Sequence, residues 1–195
     1  MNEQHPDTPS IDRPEVDEPD VFDGPPRVTN ADMPEPPHPV NWNLLTAHEL
    51  EQEWLALNRW VDWLRLTYGL QASVVPPFWH HHPELVWELS ALHLHWLAAY
   101  DPEQDASAPL GWHRDFADAR ARLREWVTAC GTRGDRDRPT RQAFWPGEEP
   151  QAPIEDVTFD DRDTEFVEFV VAHVRKRQEA EDEFYATLGD DDEAP

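Results

Sequence analysis

The sequence is poor in cysteine, with Cys130 as its only thiol, which excludes an intrachain disulfide and a zinc site built from cysteines. At the end of an apolar helical stripe, Cys130 is expected to be a small buried hydrophobe. The sequence also lacks a run of 18 apolar residues and a basic start followed by an apolar stretch. We therefore predict neither a membrane span nor a signal peptide, and expect a protein of the reducing cytoplasm.

Basic residues are few: 16 Lys and Arg stand against 41 Asp and Glu, for a net charge of −25. Nucleic acids and anionic membranes would be repelled at long range by such an excess. The charge therefore makes a nucleic-acid or membrane partner unfavourable and leaves a protein as the expected partner. Its identity and the oligomeric state of the chain stay open.

The start of the chain has little apolar periodicity. Ten of the 20 prolines lie within the first 39 residues, together with many acidic side chains. Such a segment cannot bury enough apolar surface to offset its ordering entropy. Residues 1–41 are therefore predicted to be a disordered, acidic extension.

Apolar residues recur with helical spacing after this segment, which predicts an all-α fold with three to four helices. A capping box of Thr46 and Glu49 predicts a first helix from Ala47 that ends at Gly69. A second helix should begin at Pro83, and a third should run from about Trp112 to Cys130. These helices make up a predicted tryptophan-rich domain, residues 42–145.

The remaining segments follow from proline, glycine and charge. Residues 146–159 are predicted to be a linker, residues 160–188 an amphipathic helix, and residues 189–195 an acidic tail. The helix should begin after Asp160-Asp161, with Phe166 and Val170 on its apolar face.

Ten tryptophans are many for 195 residues, and burial in the core is their commonest role. Core positions are predicted for Trp54, Trp63, Trp96 and Trp126. The core and a binding surface both stay open for the four at segment edges, which are Trp42, Trp79, Trp112 and Trp145.

Histidines cluster between positions 80 and 113, at His80, His81, His82, His93, His95 and His113. None is four residues from another on one helix, so neither a metal site nor a cofactor is predicted. No catalytic residue is predicted either. The alternative in the enzyme class is a metal-dependent hydrolase that uses the His-rich loop and Asp115.

Eight arginines between positions 114 and 141 form a basic stretch in an otherwise acidic chain. A solvated helix, a dock for the acidic C-terminus or an acidic partner, and a nucleic-acid contact are the three interpretations. Interspersed acids dilute it as a phosphate-binding surface. The predicted partner-binding residues are Trp112, Arg114, Arg120, Arg124 and Trp145.

Three pieces of the sequence resemble an uncharacterised actinobacterial domain family found on plasmids, phages and integrative elements. The motif residues are Trp79, His82, Pro83, Glu84, Trp96, Trp112, Arg114 and Asp115. The resemblance covers roughly residues 50–125 and departs at Phe116, where a histidine is usual, and at Ala119, where a proline is common. It implies an accessory role in a bacterial mobile element without a mechanism.

The leading hypothesis is thus a non-enzymatic interaction protein of a mobile element. An acidic DNA mimic that inhibits a DNA-handling protein is the alternative in the binding class.

Removing residues 1–39 should leave the melting temperature of the chain unchanged, because this segment carries no periodic apolar face. Thermal unfolding followed by circular dichroism compares the shortened and full chains. A fall of several degrees on shortening would contradict the assignment.

Overall fold

The structure, a computed structural model, describes residues 38–140, 143–149 and 155–191, with side chains as far as Leu188. Four helices follow one another within these ranges: α1 (Ala47–Tyr68), α2 (Pro83–Ala99), α3 (Ala108–Cys130) and α4 (Arg162–Asp191). A single 3-10 turn, Trp79–His81, precedes α2. The predicted all-α class and helix number are confirmed.

Within the described ranges, β-pairing is limited to one bridge between Asp137 and Val157. None of the helices described is both long enough and apolar enough to cross a membrane. The predicted disordered extension lies outside the described residues as far as position 37. Of the predicted acidic tail, residues 192–195 also lie outside them, while Gly189–Asp191 belong to α4.

The bounds of α1 are those that the sequence predicts. Thr46 Oγ1 accepts a hydrogen bond from the backbone N–H of Glu49 at 3.3 Å, and Glu49 Oε2 accepts one from the N–H of Thr46 at 2.8 Å. At the other end Gly69 has a φ of 59°, a left-handed conformation that costs glycine little. The helix is thereby capped at both ends.

α3 begins at Ala108, before the predicted start near Trp112. Pro109 lies in its first turn, where the missing N–H of proline needs no partner. The carbonyl of Ser107 accepts a hydrogen bond from the N–H of Leu110 at 3.0 Å. Trp112 therefore lies inside the helix and not at its edge.

The tryptophans occupy different positions from those predicted. The buried ones are Trp42, Trp54, Trp60, Trp79 and Trp112. By contrast Trp63 and Trp126, which the sequence assigned to the core, are 38% and 44% exposed, and Trp96 is only partly buried. The core prediction is confirmed for Trp54 and wrong for Trp63 and Trp126.

The buried stripe of α3 explains why Trp112 is buried and Trp126 is half exposed. It consists of Trp112, Phe116, Ala119, Leu123, Val127 and Cys130, at spacings of three and four residues. Trp112 stacks on Phe116 with 4.9 Å between ring centroids and donates its indole N–H to the carbonyl of Leu92 at 3.3 Å. Trp126 lies at the margin of this stripe, so its ring remains half exposed.

α4 packs along α1 and belongs to the same compact unit as the other helices. Phe166 and Val170 are buried in the shared core. Glu181 Oε1 accepts a hydrogen bond from the N–H of Ala47 at 2.7 Å, and Arg177 donates one to the carbonyl of Asn43 at 3.0 Å. The helix assigned to residues 160–188 is therefore an integral part of the domain.

The end of the predicted linker 146–159 also contacts the domain. Phe159 packs on Phe78 with 4.7 Å between centroids, and Asp156 Oδ1 accepts a hydrogen bond from Arg138 at 2.5 Å. Residues 155–159 thus lead into α4 along the surface of the domain.

Trp112→Ala should lower the free energy of unfolding by about 3–5 kcal/mol, because a fully buried ring is replaced by a cavity. Trp126→Ala on the same helix is the matched control and should cost clearly less, because this residue is already 44% exposed. Urea unfolding of the two variants measures the difference. Similar losses in both variants would contradict the observed orientation of α3.

Candidate binding groove and histidine clusters

One of the five residues predicted to bind a partner, Trp112, is not accessible. Trp112 is fully buried, so it cannot present its ring to a partner, and this part of the prediction is corrected. Arg114 pairs with Asp115 at 3.3 Å, and the guanidinium of Arg120 lies over the ring of Phe116 at 5.7 Å. The exposed members are Arg114, Arg124 and Trp145.

Much of the basic stretch is neutralised by neighbouring acids. Arg122 Nη2 donates to Glu88 Oε1 at 2.6 Å. Arg136 pairs with Asp135 at 2.8 Å and, like Arg138, with Asp156. The patch is therefore largely an internal ion-pair network, and Arg141 lies outside the described residues.

The motif residues of the family resemblance are mostly structural. Trp79, His82 and Trp112 are buried, and Pro83 is the first residue of α2. Asp115 lies 3.1 Å from His95, whereas the described carboxylates paired with His80, His81 and His82 include those of Glu165 and Asp137.

A groove of about 710 Å³ lies between α1, α2 and α4, and we call it the α4 groove. Its lining consists of Trp42, Asn43, Leu50, Trp54, His80, His81, Pro83, Val86, Trp87, Phe169, His173, Lys176, Arg177 and Ala180. Trp42 and Trp54 lie 4.6 Å apart between ring centroids, and Phe169 and His173 lie 3.9 Å apart. Because Trp42 and Trp54 are buried, the rings that the groove exposes are those of Trp87 and His173, with Phe169 partly exposed.

The charge of the α4 groove is opposite to that of the chain. Among the residues that the structure describes, no aspartate or glutamate lines it, although the chain has 41 acidic residues. Lys176, the only lysine of the sequence, is exposed in the lining, and Arg177 lies beside it. An acidic or polar-anionic group is thus the complementary ligand.

Two histidines of the 3-10 turn bind one carboxylate of α4. His80 Nε2 lies 2.6 Å from Glu165 Oε2, and His81 Nε2 lies 2.5 Å from Glu165 Oε1. The side chains of His80 and Glu165 are 0% and 10% exposed. This cluster links the approach to α2 with the first turn of α4.

Burial, followed by the neighbouring His81, lowers the pKa of His80 to about 2, so this ring is neutral at physiological pH. A neutral imidazole has one N–H, which must be on Nε2 to donate to Glu165. His80 Nδ1 is then a bare acceptor, and it has no partner among the described residues.

The third histidine of the run, His82, lies in a separate buried network. Its Nε2 donates to Asp137 Oδ1 at 2.7 Å, and its Nδ1 lies 2.9 Å from Thr140 Oγ1. Thr140 gives its only hydroxyl proton to Glu84 Oε1 at 2.7 Å, so it must accept from His82. Both ring nitrogens therefore carry protons, and His82 is an imidazolium.

The electrostatics agree with this geometry. Burial alone would lower the pKa of His82, but the hydrogen bond to Asp137 and the nearby Cys130 thiol raise it to about 9. Burial alone would raise the pKa of Asp137. The hydrogen bond and the charge of His82 outweigh burial and lower this pKa. The pair fixes the loop after α3 to the start of α2.

Sequence reasoning missed the acidic partners of the histidines. Glu165 and Asp137 are 84 and 55 residues away from the histidines they bind, and no local spacing connects them. The His-Pro-Glu motif indicated that His82 and Glu84 act together, and the structure adds Thr140 as their bridge. Lys176 and Trp87 of the α4 groove carried no sequence signal.

No family model, curated protein or solved structure matches this chain. The resemblance to the actinobacterial family therefore stays a prediction.

The His82–Asp137 pair should make stability depend on pH in a defined way. The contribution of His82 is complete below its ordinary pKa of 6.5 and is lost as the pH rises through about 9, because the folded state holds the proton more tightly. The contribution of Asp137 to stability is complete above its ordinary pKa of 3.8 and is lost as the pH falls through its lowered pKa.

His82→Gln should cost about 3–5 kcal/mol, since it leaves a buried carboxylate without its charge partner. Urea unfolding of wild type and variant near pH 6 and pH 9.5 tests this cost and the pH dependence assigned to His82. Wild type should lose more stability than His82→Gln over this interval. Equal losses would contradict the buried imidazolium.

Proposed function

We propose that this chain is a non-enzymatic interaction protein and that the α4 groove receives an acidic segment of a protein partner. The observation that carries the proposal is the lining of the groove, which is aromatic and cationic and, within the described part of the chain, contains no acid, whereas the chain has a net charge of −25. An accessory role in a bacterial mobile element is proposed on the family resemblance alone.

Burial and charge give the cationic and the aromatic residues of the groove different roles in binding. Lys176 and Arg177 attract an acidic segment, while the rest of the acidic chain repels it, so the approach is oriented toward the groove. Trp87, 42% exposed, supplies an anchor ring that a partner can cover. Affinity is thereby expected from the aromatic residues and specificity from the cations.

The groove supports this function better than the α3 patch. The arginines of the patch largely bind acids of the same chain, and its predicted anchor Trp112 is buried. A DNA mimic would offer acidic side chains to a basic partner, whereas the groove offers the opposite charge. The geometry therefore favours the acidic partner over the mimic.

The test compares two surfaces on the full chain. Partners captured from the host lysate are identified by mass spectrometry, and each purified partner is titrated by tryptophan fluorescence. Trp87→Ala and Lys176→Glu should each weaken binding about tenfold or more, the loss expected for an interface anchor. Lys176 is exposed and Trp87 is 42% exposed, so both variants should stay folded, which thermal unfolding of each variant checks.

The matched control is the double variant Arg120→Glu and Arg124→Glu on α3, which should leave the affinity nearly unchanged. Lys176→Glu should also reduce the salt dependence of association. The proposal is wrong if the α3 variant loses the partner and the groove variants keep it. It is equally wrong if no captured protein depends on the groove.

A further inference from the structure

We propose that His80, His81 and Glu165 form a binding site for one divalent transition-metal ion, with Zn²⁺ the best match. Their ligand atoms all lie within 4.8 Å of one another, and both histidine Nε2 atoms point at the same carboxylate. Two imidazoles and a carboxylate are a ligand set of zinc sites that keep a coordination position open.

The cluster needs only a small adjustment to admit an ion. Zinc binds histidine nitrogen and carboxylate oxygen at about 2.0–2.2 Å, so tetrahedral ligand atoms lie roughly 3.3 Å apart. The present nitrogen–oxygen distances are 2.6 and 2.5 Å. Each contact therefore lengthens by less than about 1 Å, within reach of side-chain rotation.

Charge and access also favour a cation. The cluster contains the carboxylate of Glu165, and it belongs to a chain of net charge −25. Glu165 is buried, with His80 and His81 as its side-chain partners. Both histidines line the α4 groove, which gives an ion a path from solvent and leaves room for water as a further ligand.

The sequence predicted no metal site because the histidine spacing supplies no helical ligand pair. The missing ligand comes from α4, which the chain reaches 84 residues after His81. A second group of residues, His82, Glu84 and Cys130, is also compact. Its atoms are committed elsewhere, since both nitrogens of His82 donate to Asp137 and Thr140.

The surroundings of the site set its strength. A histidine that binds metal usually donates its other N–H to an acceptor, and His80 Nδ1 has none among the described residues. Such a missing partner weakens metal binding by about 10–100-fold. We therefore expect a site of moderate affinity, which loses its ion to a strong chelator.

The experiment uses the full chain, purified without a histidine tag and stripped of metal by a chelator. Zn²⁺ is titrated by calorimetry, and Co²⁺ is titrated in parallel because its visible absorption reports coordination by protein nitrogen. We expect one equivalent of either ion to bind. His81→Ala and Glu165→Gln should each weaken Zn²⁺ binding about tenfold or more.

His81→Ala is the decisive variant, because it removes one ligand and leaves the bond between His80 and Glu165 in place. His95→Ala, which changes a histidine outside the cluster, is the matched control and should bind Zn²⁺ like wild type. Thermal unfolding without metal establishes that both variants are folded.

Three outcomes would overturn the proposal. They are a chain that binds no Zn²⁺, a His81→Ala variant that binds it as tightly as wild type, and a titration that shows several weak sites. Loss of binding in the control His95→Ala would also place the ion elsewhere.

Discussion

The hydrogen bonds of three consecutive histidines connect distant segments of the described structure. His80 and His81 bind Glu165 of α4, and His82 binds Asp137 of the loop that follows α3. Each contact joins segments more than 50 residues apart; the contacts of His80 and His82 are buried, and that of His81 is partly buried. The position of α4 and the path of the loop therefore depend on one short run of side chains that precedes α2. Hydrogen bonds to charged groups contribute about 1.5–3 kcal/mol each, enough to decide such a docking.

The α4 groove is a consequence of this docking. Its walls come from α4 on one side and from the starts of α1 and α2 on the other, so it exists only while α4 is held in place. The two proposals use different atoms of the same region: a partner would contact Trp87 and Lys176, whereas an ion would bind His80, His81 and Glu165. Binding of a partner requires no ion, and the two tests can succeed or fail separately.

Much of the fold could be predicted from local sequence. The capping box at Thr46, the glycines after α1 and α3, and the proline at the start of α2 are short-range signals with a direct physical cause. The exposure of the tryptophans could not be predicted in the same way. Trp112 and Trp126 both lie on α3, and the packing of α3 on α2 decides which of the two rings is buried. The roles of Glu165 and Asp137 could not be predicted either, because only tertiary packing brings these carboxylates to the histidines.

Hydrogen exchange of Glu165→Gln tests most directly whether the histidine cluster holds α4. The backbone amides of the first turns of α4 should exchange about tenfold faster than in wild type, while those of α2 and α3 keep their protection. Glu168→Gln, which changes an exposed carboxylate one turn away, is the control and should leave α4 protected. Unchanged exchange of α4 in Glu165→Gln, or equal acceleration in both variants, would contradict the account.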